Sequence, residues 1–453
     1  MMKCLIIAAG LGSRLSKKGD SKPLVSLLGL SLIERVILTA KKSGLTSFYV
    51  VTGYNGEKVR QYLNQFSKSR NIKITHIINE EWKNGNGISV LKAEKLLNEN
   101  FILLMGDHIF DESILVKLKD KEIADGEVVL AVDYNIQNNL VDANDVTRVL
   151  VEEGRILDIG KNIKKYNAYD TGIFLCSPAI FGALKESSGE GDSTLSMGVK
   201  VLANKGMAKT FDIKNDYWID VDDEGALKKA ENKLLDTLKK TSDGPVSRHL
   251  NRPISIKISK YLVKTGVTPN IVSFLSFILC CIGAFFFFLG GWINLAIGAI
   301  LAQASSIVDG CDGEVARLKF NETEFGAWFD AVLDRYADAF LLFGLTYYVY
   351  FLSEKLLCLV IGFLAIIGTF MNSYTADKYD GLMKKRIGLK GHYFRMGRDV
   401  RIFIIFLFAL LNMHFLFRME IVNLPFLAIL LIAILMNTEN IRRVVVLHKN
   451  RQY

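Results

Sequence analysis

Six apolar stretches crowd the second half of this chain, at about residues 271–290, 292–316, 325–351, 355–373, 401–417 and 421–437. Each approaches or exceeds the ~20 residues that a helix needs to cross a hydrocarbon core. Backbone amides in a bilayer must be satisfied within their own segment, so these stretches are expected to be transmembrane helices. Basic residues sort the connections. Arg317 and Lys319 follow the second stretch, Lys378, Lys384, Lys385, Arg386, Lys390, Arg395 and Arg398 the fourth, and Arg442, Arg443 and Lys449 the sixth. The alternate connections, "LGGW", "LSEK" and "FRME", carry few. The preference of Lys and Arg for cytoplasmic loops then predicts a multi-pass protein of the cell membrane, with the N-terminal half and the C-terminus cytoplasmic.

Composition adds two exclusions. The formal charge of +9 gathers largely between the apolar stretches, without the basic and aromatic interleaving of a nucleic-acid surface, so no nucleic-acid partner is expected. The six cysteines form no CxxC pair and no zinc spacing, which points to reduced thiols.

The first half alternates in kind. "KCLIIAAG", "SFYVVTG", "IKITHIIN" and "FILLMGD" read as strands, and "SLIERVILTAKKSG", "GEKVRQYLNQF" and "ISVLKAEKLLN" as the helices between them. The apolar start is too brief for a signal peptide and runs into a glycine-rich turn, so it reads as a buried first strand. The expected fold is a Rossmann-like α/β domain with a mainly parallel sheet, joined to an all-α membrane domain of about six transmembrane helices. The expected boundaries are 1–235 for the α/β domain, 236–253 for a linker, 254–270 for an amphipathic juxtamembrane helix, 271–440 for the membrane domain and 441–453 for a cytoplasmic tail.

Ligands of such a sheet bind at the carboxyl ends of the strands. Gly10 and Gly12 follow the first strand, where glycine lets backbone amides approach anionic oxygens, and Arg14 and Lys22 add charge suited to a triphosphate. The loop is not a P-loop, and Leu15 stands where a dinucleotide fingerprint needs a third glycine. Asp107 ends "FILLMGD", and Asp220 and Asp222 share one face of the extended "YWIDVDDEGAL". Magnesium accepts carboxylates, water and phosphates, which suits Asp107 with one of that pair. Asp223 is expected to cap the following helix.

The loop "AAGLGSRLSKKGDSKPL" with these aspartates resembles the sugar-nucleotide and alcohol-phosphate nucleotidyltransferases over about residues 3–235. The resemblance implies attack by a phosphate monoester on the α-phosphorus of a nucleoside triphosphate. It implies metal on Asp107 and on Asp222 or Asp220, with charge neutralised by Arg14 and Lys22. "NGNGISVLKA" resembles the nucleotide-holding segment, making Asn84, Gly87 and Ser89 candidates.

In the apolar half, "DGCDGEVARLKFNETEFGAWFDAVLD" places Asp309 and Asp312 three apart and Asp330 and Asp334 four apart, each pair on one helix face. Four carboxylates converging near a membrane repel unless divalent cations lie between them. Gly313 and Gly326 leave room for a ligand. This stretch resembles the CDP-alcohol phosphotransferases, whose D-x2-D-G-x2-A-R-x8-G-x3-D-x3-D signature is filled by Asp309, Asp312, Gly313, Ala316, Arg317, Gly326, Asp330 and Asp334. The resemblance implies metal at Asp309, Asp312 and Asp330, with Asp334 also beside the metals as general base toward the acceptor hydroxyl.

The two resemblances together resemble the family of bifunctional CTP:inositol-1-phosphate cytidylyltransferases and di-myo-inositol-phosphate-phosphate synthases. That family implies CTP and inositol 1-phosphate as substrates and CDP-inositol as the shared intermediate. It further implies Mg2+ (or Mn2+) at both active sites, membrane lipid as surroundings and a homodimer. Arg395, Arg398 and Arg401, at three-residue spacing, are candidates to hold the acceptor's phosphate. The competing expectation is a CDP-lipid-dependent phospholipid head-group synthase carrying a separate nucleotidyltransferase.

Overall fold

β1 (Lys3–Ala8) is apolar along almost its whole length, with Cys4 to Ala8 buried, and so takes a place inside a sheet rather than at its edge. In the computed structural model, which describes residues 2–19, 21–240, 243–387, 397–412 and 423–449, the chain forms two units, Met1–Leu234 and Leu235–Tyr453.

In the first unit, α1 (Leu32–Lys42), α2 (Gly56–Arg70) and α3 (Asn86–Leu91) connect β1, β4 (Ser47–Thr52), β5 (Lys73–Ile78) and β6 (Phe101–Met105). A short hairpin of β2 (Ser26–Leu27) and β3 (Leu30–Ser31) precedes α1. Beyond β6 come β7 (His108–Phe110), α4 (Glu112–Leu118), β8 (Val128–Asp133), β9 (Arg148–Glu152), β10 (Arg155–Gly160) and β11 (Ala168–Cys176). The unit closes with α5 (Ala179–Gly189), α6 (Leu195–Asn204), β12 (Ala208–Asp212), β13 (Trp218–Asp220) and α7 (Glu224–Asp236).

The nine-stranded sheet has the order β5-β4-β1-β6-β11-β8-β12-β10-β9. The expected mainly parallel sheet is in fact mixed. β5, β4, β1 and β6 run parallel, as does β12 to β8, whereas β11 is antiparallel to β6 and β8, and β10 to β9 and β12. Connections explain the split. Helical crossovers impose parallel neighbours, but β9 and β10 are joined by the two-residue turn Glu153-Gly154, both with positive φ, which folds a hairpin. Ser31 begins α1 with a capping box: Glu34 N donates to Ser31 Oγ at 3.3 Å and Ser31 N to Glu34 Oε2 at 2.7 Å.

The second unit contains α8 (Arg252–Leu262), α9 (Pro269–Phe288), α10 (Trp292–Leu318), α11 (Glu324–Ser353), α12 (Leu356–Ile387), α13 (Arg398–Leu411) and α14 (Leu424–Lys449). Small residues let these helices approach closely, as membrane packing requires. A Cβ on Gly283 would lie 2.9 Å from the carbonyl of Gly298, and one on Gly344 would lie 2.7 Å from that of Ala284. Among the described residues, four helices are long and apolar enough to cross a membrane, lying on α9, α10, the Leu356–Ala376 part of α12, and α14. That is fewer than the six expected spans. α11 carries Glu324, Asp330, Asp334, Arg335 and Asp338 along its first half, and α13 is described for 14 residues. α8 is shorter than the expected amphipathic helix, and it buries serines, Ser255 and Ser259, rather than its apolar residues.

Candidate active sites

β6 ends at Met105, and the turn after it carries Asp107 past the end of the strand. Strand pairing then selects its neighbours. β7 runs antiparallel to β13, so His108 stands opposite Asp220. Asp107, His108 and Asp220 consequently offer ligand atoms within 4.8 Å of one another. Asp220 Oδ1 is buried without a hydrogen-bond partner, a lone-pair donor suited to a cation.

Lys22 reaches this cluster from the loop after β1. Its Nζ lies 2.5 Å from Asp107 Oδ2, contacts Asp222 Oδ1 and stands 3.7 Å from Asp220 Oδ1. Gly12 permits that path: its φ is +62°, and a Cβ there would strike the Lys22 side chain. Arg14 Nη2 contacts Asp145 Oδ2 at 2.5 Å and Asp222 Oδ2 at 3.1 Å. With Gly10, Asn86 and Asp170, these groups line a cavity of about 500 Å³.

Burial opposes charge here, and the partners decide the outcome. Burial works against the Lys22 ammonium, but Asp107, Asp220 and Asp222 outweigh it and raise its pKa. Burial would raise Asp107, yet Lys22 and His108 hold it well below the usual carboxylate range. For His108, burial is overcome by Asp220 and by the 2.8 Å hydrogen bond to Asp107, and its pKa rises to about 9. The site thus pairs an ionised carboxylate, fit for a metal, with two cations fit for phosphate oxygens.

In the second unit, α10 and α11 bring Asp309, Asp330 and Asp334 together, with ligand oxygens within 4.8 Å of one another. Asp312 stands beside this group and accepts from Ser273 Oγ at 2.5 Å, while Ser276 Oγ donates to Asp309 Oδ1 at 3.1 Å. Both serines lie on α9, one turn apart. Arg398, the first residue of α13, places Nη1 2.5 Å from Asp334 Oδ1 and 3.1 Å from Asp309 Oδ2. Asp338, one turn beyond Asp334, accepts from Arg398 Nε at 3.3 Å and from Arg401 Nη2 at 2.6 Å. Asp330 Oδ1 is buried with no hydrogen-bond partner, as are Nε and Nη2 of Arg317. An orphaned carboxylate oxygen and orphaned guanidinium donors in one motif suit a cation and an anionic ligand.

Residues 4–187 match the MobA-like NTP transferase domain family, and residues 266–439 match the CDP-alcohol phosphatidyltransferase family. Along almost its full length the chain is similar to the "Bifunctional IPC transferase and DIPP synthase" of Rubrobacter xylanophilus, at 36% identity over 98% of this chain and 96% of that protein. The protein of that name from Archaeoglobus fulgidus is 32% identical over 91% of this chain and 79% of its own length. This chain is a member of the bifunctional IPC transferase and DIPP synthase family. It carries two catalytic domains, a nucleotidyltransferase and a CDP-alcohol phosphotransferase. A solved structure titled as the inositol-1-phosphate CTP transferase from T. maritima is 26% identical, with a TM-score of 0.46, over 51% of this chain and 96% of that one.

The structure brings Gly10, Arg14, Lys22, Asp107, Asp220 and Asp222 to one cavity. Asp222 pairs with Lys22 and Arg14, whereas Asp220 joins the metal-competent cluster. Asp223 caps α7, accepting from Ala226 N at 2.7 Å. Asn84, Gly87 and Ser89 are not among the cavity-lining residues. Asn84 O accepts from Ser193 Oγ, Gly87 N donates to Ser193 O at 3.0 Å, and buried Ser89 accepts from Asn79 at 2.9 Å. Asn86, between them, lines the cavity instead.

Gly313 lies against Arg317, whose Nη1 is 3.1 Å from where its Cβ would be. A Cβ on Gly326 would stand 2.9 Å from Thr323 Oγ1, and Ala316 is buried on α10. Arg398 reaches the aspartates, buried Arg401 supports it through Asp338, and Arg395 lies outside the described residues. Sequence reasoning missed His108, Asp145, Ser273, Ser276 and Asp338. Only Asp338 left a signal, since it repeats the four-residue step from Asp330 to Asp334.

Proposed function

We propose that the first unit joins CTP to inositol 1-phosphate, giving CDP-inositol and pyrophosphate. The membrane unit then transfers inositol phosphate from CDP-inositol to a second inositol 1-phosphate, giving di-myo-inositol phosphate phosphate and CMP. The observation that carries this reading is the convergence of Asp309, Asp330 and Asp334 beside Arg398, in a chain whose other unit builds its own cavity around Asp107 and Lys22. One half makes a cytidine-activated alcohol and the other consumes it.

In the first step the attacking phosphate is already anionic, so no protein base is required. Lys22 and Arg14 bind the triphosphate oxygens and stabilise the charge that develops as pyrophosphate leaves. In the second step Asp334 accepts the proton of the acceptor hydroxyl, which attacks the phosphorus farther from cytidine, and CMP carries away the bridging oxygen. Arg317 faces the donor's diphosphate, and Arg398, supported by Arg401, faces the acceptor's phosphate.

Magnesium is the cation proposed for both sites, held by Asp107 and Asp220 in the first and by Asp309, Asp312, Asp330 and Asp334 in the second. It supplies charge neutralisation at the phosphoryl oxygens. The spans number six, with α11 and α13 added to the four apolar helices, and the first unit and the C-terminus face the cytoplasm.

The test is product analysis of purified protein in detergent with CTP, inositol 1-phosphate and Mg2+, beside Asp334→Asn. Pyrophosphate, CMP and the doubly phosphorylated di-inositol product are expected from the native protein, and CDP-inositol should accumulate in the variant. Native protein that stops at CDP-inositol would refute the acceptor and favour a CDP-lipid reaction. Failure to consume inositol 1-phosphate at all would refute the alcohol.

A further inference from the structure

Glu314 occupies one of the free positions of the D-x2-D-G-x2-A-R motif, two residues past Asp312. Two steps along a helix rotate a side chain by about 200°, so Glu314 leaves α10 on the side away from Asp312. It is completely buried, and α8 satisfies its carboxylate. Arg252 Nη1 donates to Glu314 Oε1 at 2.6 Å, Ser255 Oγ to the same oxygen at 2.7 Å, and Ser259 Oγ to Oε2 at 2.7 Å. Asp243 holds Arg252 from behind, accepting from Nε at 2.9 Å and from Nη2 at 3.0 Å. The grip includes backbone: Arg252 Nη1 reaches Gly310 O at 3.4 Å, and Cys311 Sγ donates to Ser255 O at 3.5 Å. These contacts on α10 fall within residues 310–314, the turn that carries Asp312, and Asn251 adds two earlier on the same helix, donating to Ser306 Oγ at 3.1 Å and accepting from Gln303 Nε2 at 2.8 Å.

We propose that Glu314 is a positioning residue for phosphotransfer, and that Asp243–Leu262 is a working part of the transferase rather than a tether ahead of it. A buried carboxylate is costly unless donors satisfy it, and here three donors come from one short helix. Ser255 and Ser259 stand four apart and present one polar face, which is why α8 turns its serines inward. Their effect on chemistry is geometric. A turn of about 10° in α10 would move a carboxylate oxygen lying ~6 Å from the axis by about 1 Å, and a misplacement of about 1 Å can cost ~100-fold in rate. The segment matched to the CDP-alcohol phosphatidyltransferase family begins at residue 266, so this brace comes from outside it. The inference rests on the phosphotransfer reading of the aspartate cluster.

The test uses the full-length protein in detergent and the variant Glu314→Gln, which keeps the shape and removes the charge. Transfer from supplied CDP-inositol is measured across Mg2+ concentrations. Mn2+ binding is followed separately by electron paramagnetic resonance in an Asp107→Asn background, which needs no substrate. Transfer is expected to fall at least about tenfold, with half-saturating Mg2+ raised several-fold and Mn2+ held correspondingly more weakly. CDP-inositol formation from CTP should not change. The double variant Ser255→Ala/Ser259→Ala leaves Arg252 on Glu314, so it should shift both readouts less and in the same direction, and it serves if Glu314→Gln does not fold. Native Mn2+ affinity and native Mg2+ dependence in both variants would overturn the proposal. So would fewer Mn2+ sites of unchanged affinity, the mark of simple unfolding. If the native protein transfers nothing from CDP-inositol, the phosphotransfer reading fails, and the Mn2+ affinities still decide whether the brace positions the aspartates.

Discussion

Arg398 Nη1 lies 2.5 Å from Asp334 Oδ1, so the proposed base shares its site with a largely buried guanidinium. The same nitrogen stands 3.1 Å from Asp309 Oδ2. Removing it takes away the guanidinium that stands between Asp309 and Asp334. Breaking one partner of such a pair costs on the order of 3–5 kcal/mol. Arg398→Gln is therefore expected to lower CMP release from CDP-inositol by at least ~100-fold, while pyrophosphate release from CTP stays within about twofold of native. Arg398→Lys should recover little, because an ammonium cannot span the fork that reaches Asp309, Asp334 and Asp338 together. Paired pyrophosphate and CMP assays on one preparation check both statements.

Asp338 and Arg401 are both 4% exposed at the side chain and pair at 2.6 Å. Neither touches the aspartate cluster directly, yet Asp338 also holds Arg398. Asp338→Asn should destabilise the membrane unit by roughly 3 kcal/mol, because Arg401 loses its buried counter-ion. It should also raise KM for the acceptor more than KM for CDP-inositol, since Arg398 is proposed to face the acceptor's phosphate. Thermal unfolding in detergent and initial rates with each substrate varied give the two numbers.

Gly12 is a more local case. Alanine at φ +62° is strained, and its methyl would push on the Lys22 side chain beneath it. Gly12→Ala should reduce CDP-inositol synthesis by about 10- to 100-fold through Lys22 and leave transfer from supplied CDP-inositol unaltered. An equal fall in both reactions would count against a local effect.

Those residues differ in how far sequence alone could locate them. Asp309, Asp312, Asp330 and Asp334 were legible because a helix converts spacing directly into a shared face. Gly12, Arg14 and Lys22 were legible because they belong to one short loop. His108 was not: it joins the metal-competent cluster only because β7 pairs with β13 in the register that sets it opposite Asp220, 112 positions away. Non-local pairing of this kind leaves no period in the sequence. The mixed sheet was missed for a related reason, since the direction of β11 follows from which strands it pairs, not from its own residues. For α8, the expectation was an amphipathic juxtamembrane helix, whereas the face it turns inward is set by Glu314 on another helix.

His108 supplies the pH test. Its pKa in the folded protein is about 9, above the ordinary value of 6.5. The folded state therefore holds the proton more tightly than the unfolded one, and the attraction to Asp220 together with the pair with Asp107 stabilises the fold by up to about 3 kcal/mol. Because the folded pKa is raised, this contribution is complete below about pH 6.5 and is lost as pH rises through about 9. Denaturant unfolding of the first unit in EDTA, compared with His108→Asn, should give a stability difference that is largest near pH 6 and fades between about pH 6.5 and 9. Saturating Mg2+ should shrink the difference at low pH, because a cation at Asp107 and Asp220 competes with the imidazolium for the same carboxylates. A stability difference independent of pH would mean that His108 acts through packing against Trp218, whose ring lies 6.0 Å from its own, rather than through charge.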